Sequence, residues 1–125
     1  MRNVTREDRV AEFNRAGENK TFEEGGDFTP QLTCFAEELQ EFNEALSDYV
    51  LKPTKESRKA MIKEWADVQV TLSNFAWFFD FDGDAAFNRV ADSNMSKVIN
   101  GKIFKREDGK ILKPDTYKAP DMSGL

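Results

Sequence analysis

The 125-residue chain contains no histidine and a single cysteine, Cys34. The first absence excludes His-based triads, His general bases and His-ligated zinc. The second excludes an internal disulfide and fits a reducing compartment. Cys34 has no basic residue beside it in sequence, so it reads as a packing residue and not a nucleophile. Long apolar runs are also missing. The most apolar stretch, Val68 to Phe81, is too short and too interrupted to span a bilayer, so no membrane partner is expected. The N-terminus is charged from Arg2 to Glu12, unlike a signal peptide, and the expected location is the cytoplasm. Positive charge is in deficit overall, with a net charge of −5, which argues against nucleic acid as the main partner. Basic residues nevertheless outnumber acidic ones between Lys97 and Lys118, giving an acidic body with a basic tail.

What the chain has is charge and helical periodicity. Charged residues make up 33% of it and hydrophobic ones 39%, the balance of a globular protein with a real core. Thr5 before Arg-Glu-Asp marks a helix start with an acidic first turn, and Gly17 ends that short helix. Lys20 to Thr29 reads as a loop able to move. Pro30 opens a helix running to about Leu51, with an apolar stripe of Phe35, Leu39, Phe42 and Leu46. After Lys52-Pro53, Thr54 caps a helix to about Phe79, striped by Ile62, Trp65, Val68, Leu72, Phe75 and Phe79. The short link predicts antiparallel neighbours. Asp84 is the expected cap of a last helix to about Val98 that buries Ala86, Phe87, Val90 and Met95. Asp108-Gly109 then forms a hairpin turn, and Pro114 and Pro120 lead an irregular tail. The expected fold is one all-α domain, a bundle of four to five helices with a short C-terminal hairpin. Val70, Trp77 and Phe78 lie off the main stripe of the long helix. They predict a homo-oligomer, a dimer or tetramer, with these residues at its contacts.

Both long helices carry a pair of carboxylates three residues apart. Glu38 and Glu41 lie on one shoulder of the first stripe, and Glu64 and Asp67 on the equivalent shoulder of the second. If the stripes pack together, the four carboxylates converge and repel unless a cation neutralises them. Hard oxygen ligands favour Mg²⁺, with Mn²⁺ as the alternative. Glu37 points elsewhere on the helical wheel and suits a supporting or salt-bridging role. Asp80-Phe81-Asp82-Gly83-Asp84 is not an EF-hand, because Ala91 stands where its last ligand is needed.

With these residues in view, the chain resembles the all-α nucleoside triphosphate pyrophosphohydrolase superfamily, which includes the MazG-like enzymes. The signature E-E-x-x-E followed by E-x-x-D is met by Glu37, Glu38, Glu41, Glu64 and Asp67, with 22 residues between the two parts. The block Asp92-Ser93-Asn94-Met95-Ser96-Lys97 and the run Lys105 to Pro114 look like the phosphoribosyl-ATP-pyrophosphohydrolase-like branch, common in bacteria and their phages. Val10 to Asn14 is similar to the start of that branch. For a phage protein the expected location is the host cytoplasm.

The resemblance implies Mg²⁺-dependent cleavage between the α- and β-phosphates of a (deoxy)nucleoside triphosphate. Glu38, Glu41, Glu64 and Asp67 would be metal ligands, and Glu38 would also be the base. Asn94 and Lys97, one turn apart, suit phosphate contact, and Asp92 or Asn94 could complete a metal shell. Lys105, Arg106, Lys110 and Lys113 are further phosphate candidates. Phe13, Asn14 and Trp65 could form a base pocket, although Trp65 also fits simple core packing. Relatives often carry an Arg one turn before the paired glutamates, where this chain has Thr33, so that contact is not carried over. A purine substrate such as dGTP is the first to try. The rival readings are phosphoribosyl-ATP hydrolysis and a non-catalytic helical oligomer that binds a partner protein or metal through its acidic edge.

Overall fold

A computed structural model describes residues 3–125. It is all-α, with four helices and no named strand among the described residues: α1 (Arg6–Ala16), α2 (Thr29–Leu51), α3 (Lys55–Phe78) and α4 (Gly83–Met95). The helix starts follow from capping chemistry. Thr5 and Asp8 form a reciprocal capping box on α1, and Thr54 and Ser57 do the same on α3. Pro30 sits in the first turn of α2, where its missing N–H costs nothing. The cap of α4 is Asp82, whose side chain accepts from Ala85 N at 2.9 Å, and not the expected Asp84, which falls in the first turn.

The chain divides into two compact units, residues 1–81 and 82–125. In the first, α3 is the central element and packs against both α1 and α2. Phe35 of α2 meets Phe75 of α3 edge-on at 5.6 Å, which sets the two as antiparallel neighbours. Helix α1 is clipped to α3 by polar contacts. Asn14 Nδ2 donates to Asn74 Oδ1 at 2.9 Å, and Ser73 Oγ donates to Glu7 Oε1 at 2.7 Å.

The loop before α2, read from the sequence as able to move, is anchored on α3 through Phe22. Phe22 N donates to Phe78 O, and the Phe22 ring stands against both Phe78 and Phe79. Gly26 N donates to Thr21 O in the same turn. A Cβ at Gly26 would run into the carbonyl oxygens of Lys20 and Thr21, so the turn requires glycine there.

In the second unit the tail runs back along α4. Arg89 Nη1 donates to the carbonyls of Asp121 and Ser123, and Ser93 Oγ donates to Lys118 O. The turn at Asp108-Gly109 is closed by Arg106 N to Lys110 O, with a bridge between Lys105 and Ile111. Helix α4 stops at Met95, short of the expected Val98. Phe87, Val90 and Met95 are exposed rather than buried.

Burial in the single chain is sparse. Val10, Ala45, Ala76 and Phe78 are the buried hydrophobic residues among those described. Phe78 is therefore a core residue and not the exposed contact expected of it. Leu39, Leu46, Ile62, Trp65, Leu72 and Phe79 keep more than a third of their surface open. No helix among the described residues is long and apolar enough to cross a membrane.

Candidate metal centre

Because α2 and α3 are antiparallel and pack through their stripes, the shoulders bearing carboxylates meet along one edge. Glu38, Glu41 and Glu64 each place one carboxylate oxygen so that all three lie within 4.8 Å of one another. Glu38 Oε2 and Glu64 Oε2 are buried and have no hydrogen-bond partner. A buried carboxylate oxygen without a donor is costly, so these two atoms are the unsatisfied points of the cluster. Burial, reinforced by Glu41, Asp67 and Glu64, pushes the Glu38 carboxyl above the usual glutamate range, and Lys63 only partly offsets this. The donor set is all carboxylate, which fits Mg²⁺ or Mn²⁺.

Asp67, the fourth predicted ligand, is not in this trio. Lys63 Nζ holds it at 2.6 Å and also stands 3.5 Å from Glu64 Oε1. Its ammonium is stabilised by Asp67 and Glu64, raising the Lys63 pKa. The chain thus supplies one cation of its own to this edge, a feature the carboxylate spacing did not bring out. The signal was there in the four-residue interval from Lys63 to Asp67. Gln31 was also missed. Its Oε1 is buried without a partner, seven residues before Glu38 and so on the same face of α2.

Glu37 is exposed and outside the trio, as its place on the wheel implied. Cys34 is exposed rather than packed. Its thiol is pushed up by burial and by Glu38, Glu37, Asp67 and Glu41, which keeps it protonated and unreactive.

Phe13 and Trp65 do come together. They line a groove of about 540 Å³ between α1 and α3, with Arg6, Arg9, Gln69 and Asn74. Trp65 is therefore a wall of this groove, half-exposed, and not a core residue. On α3 the groove residues centre about 180° from Glu64, so the groove and the acidic edge use opposite faces of that helix. Asn14 is not in the lining. It is buried, donates to Val10 O and Asn74 Oδ1, and accepts from Asn19 Nδ2, so its amide is used up inside the fold.

Within the second unit, Lys97 Nζ donates to Asn94 Oδ1 at 3.1 Å, and Lys97 and Lys113 both approach the Tyr117 ring. These three predicted phosphate contacts are thus neighbours. Arg106 is paired with Asp108 at 2.7 Å on the hairpin, while Lys105 and Lys110 are exposed there. Asp92 lines a separate cavity of about 490 Å³ with Arg89, Ser96 and Lys118. Compared with known proteins, the sequence matches no family profile and no curated protein.

Proposed function

We propose that the chain is a Mg²⁺-dependent nucleoside triphosphate pyrophosphohydrolase that releases pyrophosphate and a nucleoside monophosphate. The observation that carries the metal-dependent part is the carboxylate trio with two buried, unpartnered oxygens. The choice of nucleotide chemistry rests on the E-E-x-x-E and E-x-x-D pattern described above. Glu38, Glu41 and Glu64 are the residues that would hold the cation, and Asp67, paired with Lys63, would be the further ligand beside them. Bound there, the cation supplies charge neutralisation for a phosphate chain that carries close to four negative charges. Glu38, in keeping with the resemblance, is the group that would accept the proton of the attacking water. Glu41 and Glu64 keep the site negative enough to retain a divalent ion. No histidine is needed for any of these roles.

The test is to incubate the protein with each nucleoside and deoxynucleoside triphosphate, and with phosphoribosyl-ATP, in Mg²⁺ and then in EDTA. Pyrophosphate and monophosphate are assayed. Metal-dependent release from one triphosphate, lost in Glu38→Gln with the fold intact, is the expected result. Release from phosphoribosyl-ATP alone would transfer the reading to that substrate. No release from any nucleotide, with metal still bound, would leave a metal-binding module in place of an enzyme.

A further inference from the structure

Tyr117 stands outside every candidate named from the sequence, and two ammoniums converge on it. Lys97 Nζ lies 5.5 Å from the centre of its ring and Lys113 Nζ 5.0 Å. Both fall within the roughly 6 Å over which a cation is drawn to an aromatic face. Like charges gathered at one ring repel each other, and a neighbouring carboxylate would be the ordinary remedy. The fold supplies none. Among the described residues the ion pairs are those of Lys63 and Arg106, so neither Lys97 nor Lys113 has an acidic partner. Asp115, between Lys113 and Tyr117 in sequence, is exposed and pairs with neither.

The tyrosine is fixed from both sides. Its N–H donates to Pro114 O at 2.9 Å, closing a turn. Before it, Thr116 Oγ1 donates to Ser96 O. After it, Lys118 N donates to Ser96 Oγ, and Lys118 O accepts from Ser93 Oγ. These bonds tie the tail to the end of α4, where the chain leads into Lys97. The Lys97 side chain is held at a second point, because its ammonium donates to Asn94 Oδ1 at 3.1 Å. With that oxygen engaged, the exposed Asn94 still offers its amide N–H groups as donors. None of these bonds uses the tyrosine hydroxyl.

We infer that Tyr117 is a positioning residue, whose ring gathers the Lys97 and Lys113 ammoniums into a two-pronged clamp for a polyphosphate chain, with the Asn94 amide as a third donor. The ligand class follows from charge and shape. Two ammoniums without acidic partners call for an anion of at least two charges, and two separate prongs call for those charges to be spread along a chain. Ammoniums act as point charges on phosphate oxygens, whereas planar bidentate pairing with a carboxylate belongs to arginine. The ring contributes preorganisation. Two long side chains are already gathered before the ligand arrives, so less freedom is lost on binding. Of the basic residues named as phosphate candidates the ring gathers these two, while Arg106 is paired with Asp108. The clamp lies wholly within the second unit. It goes beyond the pyrophosphohydrolase reading and does not rest on it, since holding a phosphate chain requires neither a cation at the carboxylate trio nor any cleavage.

The experiment is isothermal titration calorimetry of the full chain with inorganic tripolyphosphate in EDTA, where no divalent ion is bound and no nucleotide is present. Wild type should bind tripolyphosphate, less tightly as salt is raised, and should bind orthophosphate and a hexaglutamate peptide more weakly. Tyr117→Leu should weaken tripolyphosphate binding by about 5- to 100-fold, the scale of ordering two long side chains anew. Tyr117→Phe keeps the ring face and should stay within about 2-fold of wild type. If Tyr117→Leu fails to fold, Lys113→Gln at its exposed position must still weaken binding by about 10-fold or more. The inference is overturned if tripolyphosphate does not bind in EDTA, or if its affinity survives Tyr117→Leu or Lys113→Gln. It is equally overturned if Tyr117→Phe loses as much as Tyr117→Leu, which would make the hydroxyl the active part, or if the glutamate peptide binds as tightly as the phosphate chain.

Discussion

Replacing Glu64 with Gln should make the metal-free protein more stable and, in the same stroke, remove its response to divalent cations. The Glu64 side chain is only 18% exposed, and its Oε2 is buried without a donor, near Glu38 Oε2 in the same condition. An amide at this position removes one negative charge from the trio and offers a donor to a buried carboxylate that has none. Relieving one unsatisfied buried polar group is worth about 1–3 kcal/mol, and a chain of this length gains about 4 °C in melting temperature per kcal/mol. The metal-free variant should therefore melt about 4–12 °C above the metal-free wild type. Added cation reverses the order. At a free concentration of 100 times the dissociation constant, a site present only in the folded state gains about 2.7 kcal/mol, which raises the wild-type midpoint by about 10 °C. The variant, short of a ligand, should move by a small fraction of that. Melting followed by circular dichroism, in EDTA and then in 10 mM Mg²⁺ or 1 mM Mn²⁺, reads both effects. A variant that melts lower than wild type in EDTA and keeps the full cation shift would refute the reasoning. Glu64 would then be a structural residue and the trio no ion site.

Three further outcomes follow from the same geometry. With the Glu38 carboxyl raised above its ordinary range, the folded metal-free protein binds more protons than the unfolded chain. Stability should therefore fall as pH rises from the ordinary glutamate value through the raised one. Melts between pH 4.5 and 7.5 in EDTA should show this slope in wild type and a flatter one in Glu38→Gln. Lys63→Ala removes the ammonium that competes for Asp67 and Glu64. Because that pair is solvent-screened, the gain in Mn²⁺ affinity by calorimetry should be modest, about 2- to 5-fold, and weaker binding would show that Lys63 supports the site. Asn14→Ala leaves Asn74 Oδ1 without its donor beneath α1. It should cost about 1–3 kcal/mol in denaturant unfolding while leaving any nucleotide KM unchanged, and a specific rise in KM would return Asn14 to the substrate pocket.

The helices were legible because their boundaries are written in local chemistry. Thr5, Thr54 and Pro30 each act within a single turn, and the structure starts its helices where those residues place them. Asp82 and Asp84 were harder to separate, since both precede an apolar run and either side chain can reach a free N–H. Only the backbone of Asp82 is extended and only its oxygen meets Ala85 N. Depth of burial was illegible for a different reason. Periodicity marks which residues share a face, and it is silent on what covers that face. Leu39 and Leu72 obey the stripe as well as Phe35 and Phe75 do, yet the leucines keep 39% and 46% of their surface open while the two rings meet edge-on.

The same distinction explains the site. The i,i+3 spacing of Glu38 with Glu41 and of Glu64 with Asp67 fixes which edge of each helix is acidic, and antiparallel packing then brings the edges together without any further instruction. Spacing says nothing about counter-charge. Lys63 adjoins Glu64 in sequence and reaches Asp67 one turn on, so one cation on α3 stands against both of that helix's carboxylates. The result is an edge where Lys63 offsets Asp67 and one oxygen of Glu64, while Glu38 Oε2 and Glu64 Oε2 are left without a partner. A cation arriving from solution meets no competing ammonium on the α2 side and one at the α3 end. Lys63→Ala would free both Asp67 and Glu64 from that ammonium while leaving Glu38 and Glu41 on α2 as they are.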